Sequence, residues 1–219
     1  MRYDRDKLDA LTKELYVAVI ADILDEIGET DFCLSESIRP VRQSGPVVGY
    51  ARTLYAVDVF SVPEVPYAKD MIFLDSLKEG DVVVTTVNGK NHNGYIGELL
   101  STACIARGAR GCILDGYARD IAFIDLERFP LYCLGMNPLD SKGRVDAIAS
   151  DEPMLCGGVR ICPDDLIFAD YDGIVRIPKD KIEVVIDKAL CKVRGESMVR
   201  DLLRKGASIK ETFDKYGIL

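Results

Sequence analysis

Arg119 and Asp120 stand side by side in LDGYARDIAF (114–123), directly behind an apolar run. Arginine can grip a carboxylate through two parallel hydrogen bonds. An aspartate with spare lone pairs is a hard oxygen ligand of the kind Mg²⁺ or Mn²⁺ takes. Side by side, the two could hold a keto acid next to a cation. Two simpler uses exist: a local ion pair, or Asp120 as the N-cap of a helix starting near Ile121. A second feature lies upstream, where Gly97-Glu98-Leu99-Leu100 open a helical run. The first amides of a helix lack intrahelical acceptors and carry the positive end of its dipole, so they form a ready anion site. Glu98 in that turn could simply complement the dipole.

For these features to share a cleft, the elements around them must bring them together. GELLSTACIARG, from Gly97 to Gly108, has helical periodicity, and GCILDG (111–116) reads as a short buried strand. Upstream, EGDVVVTTV (79–87) is a turn feeding another buried strand, and NGKNHNG (88–94) is a loop by composition. This strand–loop–helix–strand order predicts a βαβ unit with parallel neighbours. Ligands of open α/β sheets gather beyond the carboxyl ends of such strands. The helix mouth and the Arg119-Asp120 pair would both lie there.

The rest of the chain supports one α/β domain over residues 1–219, with flanking helices. Leu8, Leu11, Leu15, Val19, Ile23 and Ile27 predict a helix over 5–27 that stops at Gly28. Residues 46–59 and 130–135 read as strands. Residues 155–178 read as two or three strands with hairpins and a DYDG turn. A long amphipathic helix is expected over 179–204 and a shorter one over 208–216.

Composition removes several functions. The net charge of −8 disfavours contact with nucleic acid. The densest basic cluster, Lys188, Lys192 and Arg194, reads as one solvated helix face. No apolar run approaches the ~20 residues that span a bilayer, and the charged N-terminal run does not resemble a signal peptide. Seven cysteines, none in a C-x-x-C pair, fit a reducing cytoplasm, and His92 is the only histidine, which argues against zinc. Cys104 and Cys112 sit in apolar runs, poor places for a nucleophile. Lys90 and Lys142 lie in polar segments, unlike the desolvated lysine of a Schiff-base enzyme. His92 has no nucleophile elbow nearby, and neither G-x-G-x-x-G nor a Walker pattern occurs.

Twenty residues separate Glu98 from Arg119. An acidic residue, that gap and then arginine-aspartate resemble the pattern of the RraA-like proteins. These include class II 4-hydroxy-4-methyl-2-oxoglutarate/4-carboxy-4-hydroxy-2-oxoadipate aldolases and regulators of ribonuclease E activity. The resemblance extends through GELLSTACIARGARGCILDGYARD (97–120), DSKGRV (140–145), ADYDGIVRIP (169–178) and FDKYGIL (213–219). It departs at Glu98, where the aldolases usually carry aspartate, and at CPDD (162–165), which replaces a proline-glycine-aspartate turn. The resemblance implies a swivelling β/β/α sandwich assembled as trimers or pairs of trimers. It implies that the amides of Gly97, Glu98, Leu99 and Leu100 hold the carboxylate of a 2-oxo acid and that Arg119 contacts its carboxylate and keto oxygens. Asp120 would bind a hydrated divalent metal, Mg²⁺ or Mn²⁺, with Glu98 supporting through water and Glu196 approaching from an adjacent subunit; the simpler use of Glu196 is as an exposed helix residue. The implied activity is metal-dependent cleavage of 4-hydroxy-2-oxo acids to pyruvate, with oxaloacetate decarboxylation as a side activity. The alternative is a non-catalytic regulator that binds protein, as in the ribonuclease inhibitors. A methyltransferase label also occurs in the family, but no glycine-rich cofactor motif supports it here.

Overall fold

The computed structural model describes residues 2–42, 44–88 and 92–217. Two helices, α1 (Arg5–Glu14) and α2 (Val17–Glu26), replace the single N-terminal helix expected. Leu15 and Tyr16 between them are extended, and the Asp170 carboxylate accepts from the Val17 amide at 2.8 Å to start α2. Leu8, Leu11, Leu15, Val19, Ile20 and Ile23 still share one buried cluster, so the apolar period runs across the break. Gly28, at φ 84°, ends α2 in the left-handed region that glycine adopts freely.

The chain continues through β1 (Arg39–Pro40), β2 (Val47–Asp58), α3 (Ala68–Ser76), β3 (Asp81–Asn88), β4 (Gly94–Ile96), α4 (Glu98–Ala106), β5 (Cys112–Ala118) and β6 (Leu131–Met136). Then come β7 (Val145–Ser150), β8 (Met154–Cys156), β9 (Val159–Ile161), β10 (Leu166–Ala169), β11 (Ile174–Ile177), α5 (Ile182–Arg204) and α6 (Ile209–Tyr216). The span 155–178, read as two or three strands, thus contributes to four strands in two hairpins. The DYDG turn closes with the Asp170 amide donating to the Gly173 carbonyl at 3.0 Å. Asp164 in CPDD takes φ 70°, the conformation for which glycine is the easier residue.

One mixed sheet organises the fold, in the order β1-β6-β5-β3-β2-β10-β11, with β4 added on β5 and β7 on β2. Strands β2, β3, β5 and β6 run parallel, as the βαβ reading requires. Val82, Val84 and Ile113 face one apolar cluster, with Met154 and Ile161 of the small β8-β9 hairpin. Val83, Cys112 and Leu114 face another, with Phe73 of α3 and Cys104 of α4. Burial on both faces explains the unbroken apolar run of β3. Helices α1, α2 and α5 cover the β2, β10 and β11 end through the third cluster. Lys188 and Lys192 are not a bare solvated face: they pair with Glu26 and Asp22 of α2, at 3.0 and 2.6 Å. No helix among the described residues is long and apolar enough to cross a membrane.

Candidate active site

Helix α4 forms because ELLSTACIA is rich in good helix formers, and both its ends are set by glycine. Gly108 (φ 85°) closes it: its amide donates to Ile105, and the Ala109 amide to Cys104, both at 3.0 Å, the Schellman arrangement. Gly97 is the N-cap and supplies no side-chain acceptor, which leaves the first-turn amides for an external anion.

The two sequence features meet at this mouth. Strand β3 pairs with β5 in parallel, and Arg119 and Asp120 follow β5 immediately. The Arg119 amide donates to the Ile96 carbonyl at 2.9 Å, tying the pair to the residue before Gly97. A Cβ added at Gly97 would stand 2.6 Å from Asp120 Oδ2 and 3.2 Å from Arg119 Nε. At Gly94 it would stand 2.6 Å from the Arg119 Cβ and 2.4 Å from the Asn137 carbonyl. Only glycine lets the two side chains lie this close over the helix mouth. Residues 121–128 form turns rather than a helix, so Asp120 is not a helix N-cap. It sits instead at φ 58°, a left-handed conformation that aspartate tolerates at some cost.

Arg119 lies between two carboxylates. Its Nε is 3.4 Å from Asp120 Oδ2, and its Nη1 is 3.3 Å from Asp140 Oδ1. Asp140 in turn accepts from the Tyr67 hydroxyl, at 3.2 and 3.3 Å to its two oxygens. Burial, and then Asp140, push the Tyr67 hydroxyl up from its ordinary value, so it remains a donor. Asp140 opens DSKGRV, a stretch that resembles the family, whereas nothing in the sequence marks Tyr67, 73 residues away.

Leu99 is exposed on the first turn of α4 and Leu100 packs against the apolar cluster beneath it. The Glu98 carboxylate accepts from Thr102 one turn along its own helix, at 3.1 Å. Glu196 lies on α5, where it accepts from the Tyr16 hydroxyl, with Arg200 at 3.9 Å. Its hydrogen-bond and ion-pair partners, Tyr16 and Arg200, are not the Arg119 and Asp120 of its own chain. Burial pushes the Cys104 thiol up to about 12 and raises Cys112 as well, so neither is a ready nucleophile. Lys90 lies outside the described residues.

Among the described residues, no three His, Cys, Asp or Glu side chains gather as a metal cluster. A hydrated Mg²⁺ needs only one or two carboxylates. Asp120 offers one, with nearly half of its side chain still exposed.

A cavity of about 550 Å³ lies across the sheet, on the face opposite α4. Its lining includes Thr86, Asp115, His92 and Tyr117, the last two stacked with ring centroids 4.7 Å apart. None of Gly97, Glu98, Arg119 or Asp120 lines it, and no lysine or arginine does among the described residues.

Comparison with known proteins shows what the chain is similar to. The chain is 34% identical over 174 residues to a Halalkalibacterium halodurans protein named "Putative 4-hydroxy-4-methyl-2-oxoglutarate aldolase", covering 78% of this chain and 76% of that one. It is 26% identical over 199 residues to protein DlpA of Legionella pneumophila, covering 91% of this chain but only 32% of that longer protein. Among solved structures, Streptomyces coelicolor RraAS2, described as an unusual member of the RNase ES inhibitor RraA protein family, superposes with a TM-score of 0.76 at 27% identity. That match covers 91% of this chain and 98% of RraAS2. The family model described as Aldolase/RraA matches residues 17–176, a span that holds the helix mouth, Arg119, Asp120 and Asp140, and the chain belongs to the RraA-like family.

Proposed function

We propose that this chain is a divalent-metal-dependent lyase that cleaves 4-hydroxy-2-oxo acids to pyruvate and a carbonyl product. The observation that carries this reading is the seating of Arg119 and Asp120 over the Gly97 helix mouth, closer than any Cβ would permit. The substrate carboxylate docks on the amides of Gly97, Glu98, Leu99 and Leu100, where the helix dipole favours it. Arg119 contacts the carboxylate and the 2-keto oxygen, and its fixed positive charge stabilises the enolate that develops there. Asp120 would hold a hydrated Mg²⁺ or Mn²⁺, with Glu98 supporting through water and Glu196 contributed by a neighbouring copy in a trimer or hexamer. The bound cation supplies Lewis-acid polarisation of the keto oxygen. Oxaloacetate decarboxylation yields the same enolate and is expected at the same site.

The relative named as an aldolase supports this reading. The similarity to RraAS2 favours a second one, a regulator that binds a protein partner through the exposed Leu99 and Phe123 beside the site. Assaying a panel of 4-hydroxy-2-oxo acids for pyruvate release, with and without chelator, separates the two. A lyase releases pyruvate and stops when chelated. No release from any member of the panel, with no thermal shift from Mg²⁺ plus oxalate, favours the regulator.

A further inference from the structure

Cleavage of C3–C4 in a 4-hydroxy-2-oxo acid needs a base for the hydroxyl proton, and we infer that the carboxylate of Asp140 is that base. The inference rests on the lyase reading above. Asp140 and Asp120 flank the same guanidinium from opposite sides, at its Nη1 and Nε ends. Asp120 Oδ2 overhangs Gly97, on the side where the substrate carboxylate and keto group dock. C4 lies two bonds beyond the keto carbon, past the carboxylate docked on the helix mouth, and Asp140 is the carboxylate at the other end of the guanidinium from Asp120.

Asp140 is held in place from several directions. The Leu139 carbonyl accepts from the Gly94 amide at 2.8 Å, and the Asn137 amide donates to the Ala118 carbonyl at 2.9 Å. The loop carrying Asp140 is thus tied to β4 and β5, the two strands that deliver Gly97 and Arg119. The Arg144 guanidinium donates to the Asp140 carbonyl at 2.9 Å and Tyr67 to its carboxylate. The side chain keeps 42% of its surface open, enough to meet a substrate. The neighbouring groups have other parts. Glu98 accepts from Thr102 and is assigned above to the water of the cation, and Tyr67 is a donor whose hydroxyl holds its proton tightly.

In the step itself, an Asp140 oxygen takes the 4-hydroxyl proton. The O–H electron pair forms the C4=O bond, the C3–C4 bond breaks, and its pair moves onto the enolate beside Arg119. Asp140, now a carboxylic acid, returns the proton to C3 directly or through water, giving pyruvate and restoring the base. Decarboxylation of oxaloacetate passes through the same enolate but has no hydroxyl proton to remove.

That difference provides the test, run on the whole protein with Mg²⁺ present. Asp140→Asn is expected to lower cleavage by about 10²–10⁴-fold, the usual contribution of a general base. Decarboxylation of oxaloacetate should fall no more than about tenfold, the margin left for looser positioning of Arg119. Oxalate affinity, measured by calorimetry, should hold or tighten, because a negative charge beside Arg119 has been removed. Asp140→Glu, which restores a carboxylate, should recover cleavage at least about tenfold over the asparagine variant. Equal losses of cleavage, decarboxylation and oxalate affinity would make Asp140 a positioning residue only and overturn the assignment. Unchanged cleavage would overturn it as well. A wild-type protein that binds oxalate and decarboxylates oxaloacetate but cleaves no hydroxy acid would sink the base while leaving the enolate site intact. One that does none of these would sink the lyase reading itself.

Discussion

A Cβ added to Gly97 would lie 2.6 Å from the Oδ2 of Asp120, so the Asp120 carboxylate sits directly over the helix mouth. Gly97 has φ −131°, which any residue can adopt, so alanine there meets a steric objection and no backbone one. Gly97→Ala is therefore expected to fold and to displace Asp120 and Arg119. A misplacement on the ångström scale costs about 10²-fold in rate. Thermal melting alongside pyruvate release checks it: a normal melt with a lost rate is the expected pair.

Asp120 stores backbone strain at φ 58°. Asp120→Gly relieves that strain and should leave stability unchanged or raised by up to about 1 kcal/mol, since strain relief is set against the greater chain entropy of glycine. Activity should nonetheless vanish with the carboxylate. Denaturant unfolding of the variant measures the first effect and the metal-dependent rate the second.

Arg119 uses Nε and Nη1 toward two different carboxylates, a reach that a lysine ammonium cannot reproduce. Arg119→Lys keeps the charge but should still lower kcat/KM by about 10²-fold or more. Steady-state kinetics on any accepted substrate would show it. A tenfold change or less would mean that charge alone suffices.

Asp70 gives the fold a pH dependence. It is 2% exposed and accepts from the Tyr95 hydroxyl at 2.5 Å, and burial raises its pKa. A carboxyl that holds its proton more tightly folded than unfolded stabilises the fold below its unfolded value of about 4. That contribution is lost as pH rises through the higher folded value. The wild type should therefore lose stability across that window, and Asp70→Asn should flatten the loss. Denaturation midpoints measured from pH 4 upward compare the two.

Tyr16 donates to Glu196 from within the same chain, and its hydroxyl is pushed up to about 12 by burial and then by that carboxylate. Stability tied to this proton is complete below about 10 and declines as pH climbs toward 12. Tyr16→Phe is expected to cost about 1–2 kcal/mol at neutral pH, read by urea unfolding.

The β3–α4–β5 unit was legible because its buried strands and its helix each follow a clear pattern and glycines mark the joints. Helix α3 was not, because its pattern is inverted: Asp70 is buried while Met71 and Ile72 are 51% and 71% exposed. The break at Leu15-Tyr16 was hidden because the apolar period continues through it. Strand β4 has three residues, too few for alternation to register. Within the site, the adjacency of Arg119 and Asp120 could be read directly, whereas Tyr67 and Asp140 reach Arg119 only through the fold. The stacking of His92 on Tyr117, and the cavity behind β5, likewise depend on contacts across 25 residues of chain.

The most direct test of the central claim is a crystal structure grown with Mg²⁺ and oxalate, which mimics the pyruvate enolate. Oxalate should lie on the first amides of α4 with Arg119 against it and the cation at Asp120. Oxalate bound instead in the cavity of His92 and Tyr117, with Arg119 and Asp120 turned to solvent, would contradict the account.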